Sequence, residues 1–242
     1  MDTPTTCAPV RYKFEEAMNH QRNTLIVIGT LFIPLIVIAA GYAVFSQLID
    51  RNALAEPPLV ELARDDFETF DMVWQLGHGW QRTVLGDGEP TAVLAASGSP
   101  DPTRFGDTLY GDVVVQVRFW VDAGEARLDV RRSPAGVYSV GLGPTGRVRL
   151  YRDGEMLAED YADAVLTGPP WHTVRFAVLA DRLDVRIDGE EMFLQADTAE
   201  TGPLPPGLVT FSAGETPASF YVDDFVLLIP APEPEQTAPA ER

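Results

Sequence analysis

WHTVRFAVLADRLDVRIDG runs from Trp171 to Gly189. Val174, Phe176 and Val178 alternate with Thr173, Arg175 and Ala177; then Leu183, Val185 and Ile187 alternate with Arg182, Asp184 and Arg186. A period of two residues puts each set on one face of a pleated strand. Asp188-Gly189 closes the second run with a pair suited to a tight hairpin turn, whose central residues take positive φ. The stretch reads as strand, turn, strand, turn, with an apolar face and an Arg-rich face.

The same pattern spreads to both sides. In Val113–Val121, one face carries Val113, Val115, Val117, Phe119 and Val121, and the other Val114, Gln116, Arg118 and Trp120. Leu128 and Val130 alternate with Arg127, Asp129 and Arg131, and Val148 and Leu150 with Arg147, Arg149 and Tyr151. Phe220, Val222, Val226 and Leu228 keep the spacing near the end, with Asp224 out of pattern. Asp153-Gly154 is a second hairpin signal, and 141–146 and 203–207 read as loops. Glu155–Ala164 is the best short helical candidate and a poor one. Many short antiparallel strands with regular turns indicate an all-β fold, an antiparallel β-sandwich or jelly roll, over residues 61–229.

The chain's other part differs in kind. From Leu25 to Phe45 no residue is charged. At about 1.5 Å per residue such a helix reaches roughly 30 Å, the thickness of a bilayer core. Residues 24–49 are therefore expected to form one transmembrane helix, in contact with the lipid bilayer. Arg11, Lys13 and Arg22 precede it and Arg51 and Arg64 follow more sparsely, which favours a cytoplasmic N-terminal segment 1–23 and an extracytoplasmic body at the plasma membrane. Ala53-Leu54-Ala55 resembles a signal-peptidase site, but the apolar run is longer than in cleaved signals, so an uncleaved anchor is preferred. Residues 50–60 read as a linker and 230–242 as a Pro/Ala/Glu tail with too little apolar surface to fold.

Among 242 residues the formal charge is −18, and residues 1–55 sum to zero, so the whole excess lies in the body. Phosphate binding needs a basic surface, which excludes nucleic acid as the default partner. A single cysteine, Cys7, excludes an intrachain disulfide and a cysteine-built zinc site.

Trp171–Gly189 resembles a recurring unit of the concanavalin A-like lectin/glucanase superfamily, in which a Trp-His-Thr opening leads to a strand ending in Val-Asp-Gly; this chain has Ile-Asp-Gly instead. Gly207-Leu-Val-Thr-Phe-Ser212, Phe220-Tyr-Val-Asp-Asp-Phe-Val226 and Asp65-Asp-Phe67 are similar to that superfamily's final and opening strands. The resemblance implies a jelly roll and leaves function open, since the fold hosts lectins, carbohydrate-binding modules, glycosidases and adhesion domains.

Glucanases of that fold carry Glu-x-Asp-x-x-Glu on one strand, so that paired carboxylates share a face. Glu68, Glu155, Glu159 and Glu191 lack the neighbours for it, and Asp184, Asp188 and Glu190 run into a turn. No histidine zinc spacing, nucleophile elbow or P-loop exists. The body is therefore expected to be non-catalytic. Its candidate ligand surface is the polar sheet face, represented by Gln116, Arg118, Trp120, Arg149, Tyr151 and Arg175, where ring faces and guanidinium forks suit a sugar. Cross-strand ion pairing is the plainer reading of the same face. Trp74, Trp80 and Trp171 are expected at the core or its rim, and His172 at a strand start. Asp65, Asp66, Asp223 and Asp224 are candidates for a structural calcium site between the terminal strands, with the plainer reading, that these acids blunt strand edges or hydrogen-bond turn amides, preferred. The leading expectation is a membrane-anchored carbohydrate-binding module. The alternatives are a structural or protein-interaction subunit of an envelope complex and a glycosidase-like enzyme.

Overall fold

The computed structural model describes residues 56–69, 74–86, 91–163, 165 and 170–232. The expected anchor at 24–49, its cytoplasmic flank and residues 233–242 of the tail lie outside them. The chain divides between Glu56 and Pro57, and the unit that begins at Pro57 carries every named element. Among the described residues no helix is long and apolar enough to cross a membrane.

Among the described residues thirteen strands follow one another: β1 (Leu59–Asp65), β2 (Trp74–Gln75), β3 (Trp80–Leu85), β4 (Thr91–Gly98), β5 (Thr103–Phe105), β6 (Val113–Ser133), β7 (Gly136–Leu142), β8 (Arg147–Arg152), β9 (Glu155–Tyr161), β10 (His172–Leu179), β11 (Arg182–Ile187), β12 (Glu190–Ala196) and β13 (Leu208–Pro230). Every pairing is antiparallel. Leu59 and Val60, read as linker, already belong to β1, because their backbone pairs with Pro230 and Ile229. Within Glu155–Ala164, the weak helical candidate, Glu155–Tyr161 is an edge strand pairing with β8.

Two strands are far longer than the rest and join two layers. The first half of β6 pairs with β10 and its second half with β7. The end of β13 pairs with β4 and β1, and its beginning with β5. The first sheet therefore runs β12-β11-β10-β6-β13, with β4-β3 and β1 continuing along β13. The second runs β9-β8-β7-β6-β13-β5-β2.

One core lies between them. Val115, Val117, Phe119, Val174, Phe176, Val185 and Phe220 from the first sheet meet Leu128, Val130, Tyr138, Val140, Leu150 and Phe211 from the second. Inward residues on β6 are odd-numbered before the crossing and even-numbered after it. Gly124 makes the crossing: its φ is +74°, and an added Cβ would fall 2.5 Å from the Glu215 carbonyl oxygen. Trp74 and Trp80 sit in this core, as expected.

The predicted hairpins form at Asp153-Gly154 and Asp188-Gly189, with φ of 48°, 84°, 51° and 86° in turn. Asp224 breaks the pattern of β13 for a physical reason. It has φ +48°, and the register with β6 slips between Asp223 and Val226, so the strand bulges there. Beyond the bulge Phe225 and Leu227 face the main core. Val226 and Leu228, expected on the face of Phe220 and Val222, are turned away, and Leu228 packs on a small separate cluster of Val114, Ala177 and Leu179.

Candidate functional site

The six residues expected on one polar face are divided between the two outer faces of the sandwich. Gln116, Arg118, Trp120 and Arg175 lie on the first sheet, in strands whose alternate residues fill the core. Arg149 and Tyr151 lie on the second, beside Val148 and Leu150. Parity within a strand was right in each case. What parity omits is which layer a strand joins.

On the first sheet the register aligns side chains into rows. Phe119 is opposite His172, and Trp120 is opposite Tyr221, so Trp171 just before β10, Trp120 on β6 and Tyr221 on β13 form one row. Their rings touch: Trp120 and Trp171 are 5.9 Å apart edge-on, and Trp120 and Tyr221 are 5.4 Å apart. All three are partly exposed. The Arg118 guanidinium stands 5.0 Å over the Trp171 ring and donates to Asp224 Oδ2 at 2.7 Å. Gln116 is exposed and opposite Arg175, and its amide has no partner among the described residues. A cavity of about 180 Å³ beside Trp120 is lined by Leu142, Pro144, Pro170 and His172. His172, at the start of β10 as expected, is buried and held to Asp188 Oδ2 at 2.8 Å.

The second sheet's outer face is polar yet closed. Glu125, Arg127 and Asp129 alternate on β6, so two carboxylates flank a guanidinium on one face. The alternation over 127–131 already marks Arg127 and Asp129, and the structure adds Glu125 to their row. Both carboxylates have no solvent exposure. Glu125 accepts from Arg127 Nε at 2.6 Å and from Arg149 Nη1 at 3.1 Å, with the Tyr151 hydroxyl 3.3 Å away. Arg127 stacks over the Tyr151 ring at 4.1 Å. Arg149 also reaches Glu159 and Glu215, and Arg147 reaches Glu215. Burial alone would lower the pKa of Arg149, but its hydrogen bonds to Glu159, Glu215 and Tyr151 overcome this and raise it, while Arg149 holds Glu215 below the usual carboxylate range. Asp129 accepts from Arg132, Thr210 and Ser212. A general acid or nucleophile must reach the glycosidic bond, and both carboxylates are closed off from solvent.

The four aspartates considered for calcium serve other groups. Asp65 accepts from the Phe67 amide at 2.8 Å and the Trp74 indole at 2.8 Å, Asp66 from the Glu68 amide, and Asp223 from the Asp224 amide. Among the described residues no group of three or more His, Cys, Asp or Glu side chains is placed to hold a metal ion. Burial, the neighbouring Asp224 charge and Glu68 push Asp223 up to about 6, against the pull of the Asp224 amide and Arg118.

No protein-family model matches the chain, and no curated protein matches it. Solved structures do. A protein of unknown function with a galectin-like fold from Bacillus subtilis superposes with a TM-score of 0.56 at 13% identity, covering 73% of this chain and 99% of that one. A non-specific endo-β-1,3(4)-glucanase from family GH16 gives 0.51 at 13% identity, covering 73% and 94%. A β-1,3-1,4-glucanase (lichenase) derived from a mouse hindgut metagenome gives 0.50 at 17% identity, covering 70% and 99%. The body shares the two-layer antiparallel β fold of these structures. At these identities the likeness is one of fold alone. The two-layer arrangement expected from Trp171–Gly189 is thus found, and the choice of working face must come from this chain's own residues.

Proposed function

We propose that this protein is a membrane-anchored, non-catalytic carbohydrate-recognition module. Residues 24–49 hold it in the plasma membrane with the N-terminus cytoplasmic, and the sandwich is displayed outside. Its glycan contact is the outer face of the first sheet, centred on Trp120. The supporting observation is the row Trp171, Trp120 and Tyr221, three touching and partly exposed rings that belong to neither core. Ring faces suit the C–H surfaces of sugars, while Gln116 and Arg118 supply an amide and a charged fork for hydroxyls. Arg149 and Tyr151 drop out of this site, because their groups are committed to the closed network on the other sheet. Hydrolysis is not part of the reading, because Glu125 and Asp129 are sealed.

A glycan array probed with the detergent-solubilised full chain tests it. Trp120→Ala combined with Arg118→Ala is expected to weaken the strongest polysaccharide signal at least tenfold while leaving the melting curve cooperative. Undiminished binding in that variant would remove this face from consideration. Protease shaving of intact cells, with the sandwich expected to be the accessible part, tests the orientation.

A further inference from the structure

A second cavity lies on neither sheet face. It measures about 640 Å³ and lies at the end of the sandwich, between the β8–β9 hairpin and the segment that follows β12. That is within the range of about 300–1,000 Å³ usual for small-molecule sites. Its back wall is fixed from several directions. Asp197 accepts from Arg152 Nη1 at 2.8 Å, from the Ala199 amide at 3.1 Å and from the Tyr138 hydroxyl. Arg152 Nη2 donates to Thr201 Oγ1 at 2.9 Å and the Gly202 carbonyl at 2.8 Å. A wall so tied loses little freedom when a ligand arrives.

The groups lining the opening are of another kind. Asp153, Glu155, Gln195 and Thr198 line the cavity, and none of their side chains has a partner among the described residues. Arg152 is the cation of the lining against Asp153, Glu155 and Asp197, and its Nη atoms are already engaged. Such a lining offers acceptors in excess and a net negative charge. It repels carboxylate, sulfate and phosphate, and it fits a ligand rich in hydroxyl or ammonium donors. Leu157, Leu204 and Ala199 give the same space an apolar side.

We propose that this cavity is a second saccharide site, taking a neutral or amino-bearing sugar at the end of the sandwich, with an ammonium group set against Asp153 and Glu155. It shares with the preceding reading only the class of ligand, and it uses none of the residues of the aromatic row. Two separate contacts on one body would let a long glycan engage both, so that weak single contacts add through effective concentration.

The probes are glucosamine, glucose and glucuronate, titrated into the detergent-solubilised full chain and followed by the side-chain amide resonance of Gln195. Saturable shifts with glucosamine and, more weakly, glucose are expected, and none with glucuronate. Glu155→Arg with Gln195→Ala, both outside the cores, is expected to reduce glucosamine affinity at least tenfold by calorimetry with the melting temperature unchanged. Glu155→Gln is expected to erase the preference for glucosamine over glucose. Trp120→Ala should leave all three titrations as they were. No saturable response, equal response to glucuronate, or full binding by the double variant would overturn the inference. Loss of these signals in Trp120→Ala alone would assign the sugar to the aromatic face and overturn it too.

Discussion

The Glu125 side chain lies across Gly141, the β7 neighbour of its strand: a Cβ added at Gly141 would fall 2.5 Å from Glu125 Cδ and 2.7 Å from Oε1. Glycine is needed there for space. The carboxylate can then lie low on the sheet, where Arg127 and Arg149 reach it. Gly141→Ala is expected to cost about 1–3 kcal/mol by overpacking. Glu125→Ala also destabilises, since it leaves Arg127 and Arg149 facing each other without their shared acid. The double variant should cost less than the sum, because the added methyl group no longer meets a carboxylate. Urea melts of the four proteins measure this coupling; strict additivity would mean that the two residues do not share the space.

Asp223 gives the body a pH dependence. Its carboxyl is buried, and burial first, with Asp224 nearby, raises it from 3.8 to about 6. The folded state therefore binds a proton that the unfolded state has already released. From this group, stability is greatest below about pH 4, falls as pH rises towards 6, and then levels. Asp223→Asn keeps the oxygen that accepts from the Asp224 amide and removes the charge. It is expected to match the parent at pH 4 and to exceed it by about 1–3 kcal/mol at pH 7. Melting temperatures across that range decide the matter, and an equal gain at pH 4 would refute the titration.

Strands β10 and β11 were legible because two devices agree there: alternation runs over both, and Asp188-Gly189 ends the second at the turn into β12. Asp224 was visible as a fault in the pattern, although only the slipped register shows that it is a bulge that reverses the faces beyond it. Glu125 was not legible. The alternation read over Val113–Val121 stops short of Gly124, and nothing local says that β6 runs on through it into a second layer. Its partner Arg149 lies in another strand, 24 residues along the chain. Trp171 shows the same limit. Its place beside Trp120 follows from the pairing of His172 with Phe119, and register is a tertiary fact. The six site residues were split for this reason: strand parity is local, and layer membership is not.

Tyr138 and Asp197 join the core to the cavity wall. Tyr138 has no solvent exposure, and its hydroxyl donates to Asp197 and accepts from the Leu204 amide at 2.8 Å. Burial, then the carboxylate, pushes the phenol up to about 12, so it remains a donor at any ordinary pH. Tyr138→Phe keeps the ring but leaves the Leu204 amide without an acceptor and takes one donor from Asp197. A loss of about 1–3 kcal/mol is expected, with faster amide exchange over 197–204. A loss without the local exchange would place the effect in packing.

Asp184 is the counter-charge for three arginines on the outer face of the first sheet. Arg186 Nε is 3.2 Å from its carboxylate, Arg182 Nη2 3.3 Å and Arg175 Nη1 3.7 Å, and Asp184 itself is 2% exposed. Removing that buried acid takes a shared counter-charge from guanidiniums that lie close together. The usual cost of breaking a buried pair is about 3–5 kcal/mol. The arginines here are partly solvated, so about 2–4 kcal/mol is expected for Asp184→Ala. Asp184→Asn has the same shape and an acceptor oxygen, so it separates charge from packing: if repulsion is the cause, it should lose nearly as much as alanine. High salt should then restore part of the stability of both variants, since the repelling heads reach solvent. Salt-independent losses, or an asparagine variant as stable as the parent, would show that Asp184 is held there for shape.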